Sequence, residues 1–387
     1  MSRRRVIVYT SMNDLSMFGG METMIPQEVK YLDSLGHEVH VISPSPRMAS
    51  RFQNLDRVVE HQLPSAFRVF PWLLKDFLSI MWICCAIRRI GKSSDVLSVS
   101  YSVTDGAGAV LARMSGTKIR IVLRIVGPLS YETVHFTNAK KFRYRLYAKA
   151  FMLLEAFSYM GADVILPVSE FEETNILSYG IPRDKIKIVR CGIDQRRFDG
   201  HRNSGSLRLA PTDVVIVFVG RFVEKNGPLV LSDAIPMVVG LHPNAKFVFV
   251  GDGPLRAVLE TRLANMVSSG NVVFTGFRED IPEIHSQADI YAGHVSSLVE
   301  GLGQTVFEAM MSGLPVIAGE DAISRKIIDS GVSGVLVRKD DPAALSLAIS
   351  ELVGDVGRRE QMGKKAREAA LASLSFDSMM AEVFRSC

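Results

Sequence analysis

The stretch VVIVFVGRFVEKNGPLVLSDAIPMVVG, residues 214–240, decides the fold. Val214 to Val219 are six apolar residues in a row, five of them β-branched, which is the composition of a strand buried on both faces. That strand runs straight into Gly220-Arg221, and a helix follows over about 227–239. A strand, a glycine turn and a helix in that order make one unit of a parallel sheet covered by helices.

The same unit recurs in both directions from this stretch. Lys246 to Val250 leads into Gly251-Asp252-Gly253-Pro254, and Val272-Val273-Phe274, Ile290-Tyr291, a helix over about 303–312 and the strand Pro315 to Ala318 follow. Toward the N-terminus, Val6 to Tyr9 reads as a buried strand, followed by a loop with Gly19-Gly20. A helix from about Met21 to Leu35 is broken by Gly36, and Val39 to Ile42 form the next strand. Further strands are expected at 96–99, 119–125 and 164–168, with helices at 105–115 and 140–160. Between the halves, residues 199–213 (DGHRNSGSLRLAPTD) have the Gly, Ser and Pro content of a linker. The chain therefore reads as α/β, with two doubly wound, Rossmann-like domains at 1–190 and 191–369 facing a central cleft. Such sheets bind ligands outside the carboxyl ends of their strands.

Composition agrees with this reading. The chain has 387 residues, 47% hydrophobic and 22% charged, which excludes a disordered or fibrous chain and fits two domains. The 45 Lys and Arg against 41 Asp and Glu leave only +4, too little for a nucleic-acid binder. That total conceals two unlike halves. Residues 1–190 carry 25 cations and 17 anions, a net of +8, and residues 191–387 carry 20 and 24, a net of −4. The first half is thus the one suited to an anionic surface or ligand, unless surface charge has simply drifted. Mean hydropathy is +0.17, slightly apolar. The longest uncharged apolar run, Phe77 to Ile87, has eleven residues, short of the about 20 that span a bilayer. Arg3, Arg4 and Arg5 precede only the short apolar stretch Val6 to Tyr9, so no signal peptide is expected. Cys84, Cys85, Cys191 and Cys387 show no metal-ligand spacing, and the expectation is a reduced, cytoplasmic chain.

No G-x-G-x-x-G, no G-x-x-x-x-G-K-[ST] and no Asp-x-Asp occurs. These absences count against a dinucleotide site, a P-loop and the simplest metal–diphosphate holder. What remains are strand–glycine–helix junctions at Gly19-Gly20, Gly220-Arg221, Gly251-Asp252-Gly253 and Gly301-Leu302-Gly303. Each alone is an ordinary tight turn, but together they offer backbone amides and helix N-termini to phosphate. Arg221 and Lys225, four apart, could neutralise a diphosphate leaving group without a metal, the Arg as a fork and the Lys as a point charge. In EGLGQTVFE (300–308), Glu300 falls in a loop and Gly303-Gln304-Thr305 open a helix. Glu308 sits just over a turn further on, where a carboxylate could accept ribose hydroxyls; a solvated surface pair is the alternative.

The ordered series of these motifs resembles the family 4 retaining glycosyltransferases of the GT-B fold. The segments are GGME (19–22), GHEV (36–39), ADVILPVSE (162–170), YGIPRDKIKIVRCGIDQRRF (179–198), VGRFVEKNG (219–227), VGDGP (250–254), ADI (288–290), SLVEGLGQTVFEAMMSGLPVIA (297–318) and DSGVSGVLV (329–337). The resemblance implies a nucleotide diphosphate sugar as co-substrate, no metal and no resident cofactor. It implies that Arg221 and Lys225 stabilise the departing diphosphate and that Glu300 contacts the transferred sugar. Glu308 would contact the ribose, and the amides of Leu302, Gly303, Gln304 and Thr305 would hold phosphate, with Gly19, Gly20, Gly220 and Gly251 lining the donor site. It further implies front-face transfer with retention, and a final helix (Phe376 to Phe384, within about 370–387) that crosses back to the first domain. The sequence departs from the family at Val126, where relatives carry a histidine, and at Lys326, where they carry a glutamate; Arg124 could take over the acceptor-side role.

KKFRYRLYAKAFMLL (140–154) carries five cations and no acid, interleaved with aromatics. With Lys140, Lys141 and Arg143 it reads either as a lipid-surface helix or as a core helix with solvated cations. FPWLLKDFLSIMWICCAI (70–87) allows the same two readings. The expected function is sugar transfer to a glycan or lipid-linked acceptor in cell-surface polysaccharide or glycolipid synthesis, by a cytoplasmic chain that can lie on the inner membrane face. A non-catalytic nucleotide-sugar-binding scaffold and a nucleotide-sugar epimerase remain as alternatives.

Overall fold

The structure, a computed structural model, describes residues 5–10, 20–43, 52, 55–62, 64, 72–91, 96–125, 142–199, 207, 210–298, 303–373 and 375–386. The chain divides into two compact units, Met1–Cys191 with Met379–Cys387, and Gly192–Ser378. The final helix, Phe376–Ser386, begins in the second unit and ends in the first.

The first unit holds six parallel strands, β1 (Val6–Thr10), β2 (Glu38–Ser43), β3 (Val58–Gln62), β4 (Val96–Ser100), β5 (Ile119–Ile125) and β6 (Val164–Pro167), in the order β3-β2-β1-β4-β5-β6. The second holds β7 (Val214–Val219), β8 (Ala245–Val250), β9 (Val272–Gly276), β10 (Ile290–Ala292), β11 (Val316–Gly319) and β12 (Val335–Val337), in the order β12-β11-β10-β7-β8-β9. Each sheet is doubly wound, and every residue of β4 and β7 is buried. Each unit taken by itself is thus a Rossmann-like α/β sheet, as the sequence led one to expect. β3 was not expected. Its sequence VVEHQ lies at the sheet edge, half-exposed along its length, and so lacks the apolar run of a covered strand.

In the first unit, helix Trp72–Ile90 packs on Val103–Met114, which packs on Phe142–Gly161. The middle helix is rich in small residues because it is hemmed in. A Cβ on Gly108 would lie 2.6 Å from Ile83 Cγ2, and one on Gly106 would lie 2.5 Å from Leu123 of β5. Trp72–Ile90 turns Ile80, Ile83, Cys84, Ala86 and Ile87 inward and leaves Phe77, Met81, Cys85 and Arg88 exposed. Phe142–Gly161 buries Phe151, Glu155, Ser158 and Tyr159 and leaves Lys149, Met152, Leu153 and Met160 exposed. Both segments are therefore core helices on one face. Lys140 and Lys141 lie outside the described residues, as does the side chain of Arg143.

Arg124 is not where the sequence reading put it. Instead of facing an acceptor it is wholly buried on β5, and its Nη1 donates to Glu28 Oε1 at 3.0 Å. Glu28, on helix Gly20–Ser34, also accepts from Tyr9 OH at 2.7 Å. Nη1 and Nη2 lie 3.4 and 3.5 Å from Met379 Sδ, and the guanidinium covers the Tyr101 ring at 5.6 Å. Burial opposes its charge, but Tyr101 and Glu28 outweigh that and hold the guanidinium above its usual pKa. Removing one partner leaves the other charged and unpaired in the core. Glu28→Ala and Arg124→Ala should each lower the first unit's unfolding free energy by about 3–5 kcal/mol, and a Glu28→Met/Arg124→Met pair by clearly less. Urea unfolding of the three variants checks this; a double variant as damaged as the singles would refute it.

Candidate functional site

In the second unit β7 and β10 are neighbours from which the chain winds in opposite directions, β8 and β9 to one side and β11 and β12 to the other. A doubly wound sheet binds ligands at the carboxyl ends of such a pair. The expected donor residues that fall within the described part of this unit come out of these strand ends.

The loop after β7 carries the two cations. Phe222 is its pin: fully buried against Phe218, Phe249 and Phe274, it leaves Arg221 exposed beside it and Lys225 half-buried one turn on. The loop after β8 crosses directly over it. Gly220 N donates to Val250 O at 3.0 Å, Phe222 N to Asp252 O at 2.9 Å and Leu255 N to Phe222 O at 3.0 Å. A Cβ on Gly251 (φ +135°) would collide with the Gly220 carbonyl, and one on Gly253 would lie 2.7 Å from Phe222 O. Glycine is required here first by the contact of two backbones.

The loop is held on its other side as well. Asn226 Nδ2 donates to Arg221 O at 2.9 Å, and His294 N donates to Asn226 O at 3.1 Å. His294 lies two residues past β10 and is half-buried, with Lys225 and Lys339 close enough to act on its charge; partial burial, then those two charges, lowers its pKa to about 4. Its Nε2 lies 3.3 Å from Thr305 Oγ1, which also meets Tyr291 OH at 2.9 Å. Thr305 lies in the first turn of helix Gln304–Met311, whose N-cap Gly303 brings no side chain to cap it. Among the described residues, therefore, no N-cap side chain takes up the first amides, the groups that bind anions at a helix N-terminus.

One turn further along that helix is Glu308, with its side chain 9% exposed and 3.7 Å from Arg197 Nη1. Burial pushes its carboxyl up to about 7, against the opposing pull of Arg197. Arg197 lies over Phe198 at 5.4 Å, and Phe198 stacks on His285. Thus Arg221, Lys225, Gly220, Gly251, Gly303, Gln304, Thr305 and Glu308 share one end of one sheet. Gly20 opens a helix of the first unit. Gly19, Glu300 and Leu302 lie outside the described residues. Among the described residues no cluster of three or more His, Cys, Asp or Glu is arranged to hold a metal.

The sequence reading did not single out His294, Tyr291 or Arg197. The position of His294 just beyond a short buried strand was the one available signal. Nothing in QRRF (195–198) marks Arg197 as the partner of a residue more than a hundred positions away.

Residues 18–197 match the family described as Glycosyltransferase Family 4, and residues 201–369 match the one described as Glycosyl transferases group 1. An uncharacterized glycosyltransferase of Methanocaldococcus jannaschii is 24% identical over 359 residues, 90% of this chain and 88% of the relative. An Escherichia coli UDP-Gal:alpha-D-GlcNAc-diphosphoundecaprenol alpha-1,3-galactosyltransferase is 24% identical over 353 residues, 88% and 86% of the two chains. Among solved structures, Anabaena HepE in complex with UDP and glucose superposes with a TM-score of 0.78 over 98% of both chains, at 16% identity.

The raised pKa of Glu308 has a stability consequence. Below its ordinary 4.5 the group is protonated folded or unfolded; as pH rises toward about 7 only the unfolded state ionises freely, so stability is lost. Glu308 alone should cost roughly 3 kcal/mol between those limits, and Glu308→Gln should flatten that part of the profile. Urea unfolding at pH 5 and 7.5 measures it; an identical slope in the variant would refute the assignment.

Proposed function

Because this chain belongs to the group 1 glycosyl transferases, with a family 4 N-terminal half, we propose that it transfers a sugar with retention from a nucleoside diphosphate sugar to a lipid-linked or polysaccharide acceptor. The observation that carries the donor assignment is the convergence of Arg221, Lys225 and the uncapped helix N-terminus at Gly303-Gln304-Thr305 on one end of the second sheet. Two cations and the first amides of a helix suit a dianion and supply the charge that a metal would otherwise bring. In the proposed step the bond from the anomeric carbon to the diphosphate oxygen breaks, and its electron pair goes to the diphosphate. The acceptor hydroxyl attacks from the same face, and its proton passes to the departing diphosphate oxygen. Stabilising the leaving charge then supplies much of the rate. Glu308 takes the ribose and Glu300 the transferred sugar. A donor such as a UDP-sugar is consistent with the UDP-Gal named for the Escherichia coli relative.

The acceptor side falls to the first unit. Its helices Trp72–Ile90 and Phe142–Gly161 show solvent a row of apolar side chains, Phe77 at 59% and Leu153 at 74% exposure among them, on the half of the chain with a net charge of +8. Apolar contact plus positive charge fits an anionic lipid surface, where a lipid-linked acceptor would be met. Among the described residues no helix is long and apolar enough to cross a membrane.

A thermal-shift panel of UDP-, GDP- and ADP-sugars tests the donor reading. A bound donor at 100 times its dissociation constant stabilises by about 2.7 kcal/mol, and stabilisation by none of the three would sink the proposal. With the donor known, Arg221→Ala or Lys225→Ala should lower kcat by about 10²–10³. Sedimentation with phosphatidylglycerol vesicles tests the surface. The intact chain should bind and a Phe77→Ser/Leu153→Ser variant should not; equal binding by both would remove these helices from the interface.

A further inference from the structure

We propose that His294 is the positioning residue of the donor site, holding the Arg221/Lys225 loop in register with the amides of the first turn of Gln304–Met311, so that both engage one diphosphate. This rests on the donor reading above.

The backbone of His294 is the junction of three elements. Its N–H donates to Asn226 O at 3.1 Å, and its carbonyl accepts from Gly319 N, the last residue of β11, at 3.1 Å. Asn226 in turn fixes the Arg221 carbonyl through Nδ2 at 2.9 Å. The loop is pressed against this junction, since a Cβ on Gly227 would lie 2.8 Å from Val295 Cγ2 and 3.1 Å from Ser296 N. Any shift of His294 would therefore be passed to both cations.

His294 also has φ +55°, a region that costs a residue with a Cβ and suits Gly or Asn better. A position that needs only the backbone turn would favour one of those. The imidazole has its own work. It fills the space beside Gly303, where a Cβ would collide with it, and its Nε2 reaches Thr305 Oγ1 at 3.3 Å. The charged groups around it are Lys225 from the cation loop and Lys339 beyond β12, the latter paired with Asp321 at 2.6 Å. With both lysines near and the ring partly withdrawn from water, it stays neutral at physiological pH, with one nitrogen as donor and one as acceptor. It supports the helix turn without adding a competing cation.

The experiment compares the full-length chain with His294→Asn, which tolerates the positive φ but is too short to reach Thr305, and with His294→Gln, whose amide can replace Nε2. Unfolding midpoint without ligand, thermal shift with the nucleotide sugar found for the intact chain, and steady-state kcat and KM are read on all three. The expected result is a kcat for His294→Asn lower by about tenfold or more with its unligated midpoint kept, and recovery to within about threefold in His294→Gln. If both variants turn over like the intact chain, or if the Asn variant loses only its unligated midpoint, the proposal is overturned while the donor reading stands. If the intact chain is stabilised by no nucleotide sugar, the donor reading fails and this proposal fails with it.

Discussion

A parallel strand covered by helices on both faces meets solvent only at its ends, and this constraint governs both units. The hydrogen-bonding edges are taken up by neighbouring strands and the two faces by apolar packing. Chemistry is left to the loops at the carboxyl ends, at the point where the winding reverses. In the second unit that point lies between β7 and β10, and the cation loop and the residues leading to the helix turn at Gly303 emerge there side by side.

Holding such loops still is the second requirement, and this chain meets it with backbone more than with side chains. The loops after β7 and β8 cross with carbonyl against α-carbon, which is why Gly251 and Gly253 have no room for a Cβ. Phe222, inserted among three other phenylalanines, anchors the exposed Arg221 from below. A flexible arginine on a fixed backbone needs little reorganisation when an anion arrives, which is the condition for electrostatic stabilisation of a leaving group. The first unit uses a different device. Tyr9 from β1, Glu28 from a helix, Arg124 from β5 and Met379 from the final helix form a buried polar knot that ties the chain terminus to the sheet.

Much of the fold was legible because burial on both faces writes a simple pattern, apolar runs such as Val214 to Val219 ending in glycine. The pattern fails where burial is partial. β3 (VVEHQ) is an edge strand, and helix Glu170–Ser178 buries only Glu172 and Ile176, so neither has a periodicity to find. The two long helices near 70–90 and 142–161 were ambiguous for a related reason. Each has both a core face and an apolar outward face, and hydropathy alone does not separate them.

The sequence by itself determined the class of fold, the places where strands end in glycine, and the residues with the right chemistry for a diphosphate, because each of these depends on neighbours within a few positions. The tertiary structure alone decided that Arg124 is a buried structural ion and not an acceptor contact, that Glu308 is a desolvated carboxyl facing Arg197, and that His294 lies within reach of two lysines beside a helix turn. Those properties come from partners 96, 111 and 45 or more residues apart in the chain, as from Glu28 to Arg124, Arg197 to Glu308, and Lys225 to His294 or His294 to Lys339. No local pattern records a charge that is set by what packs against it.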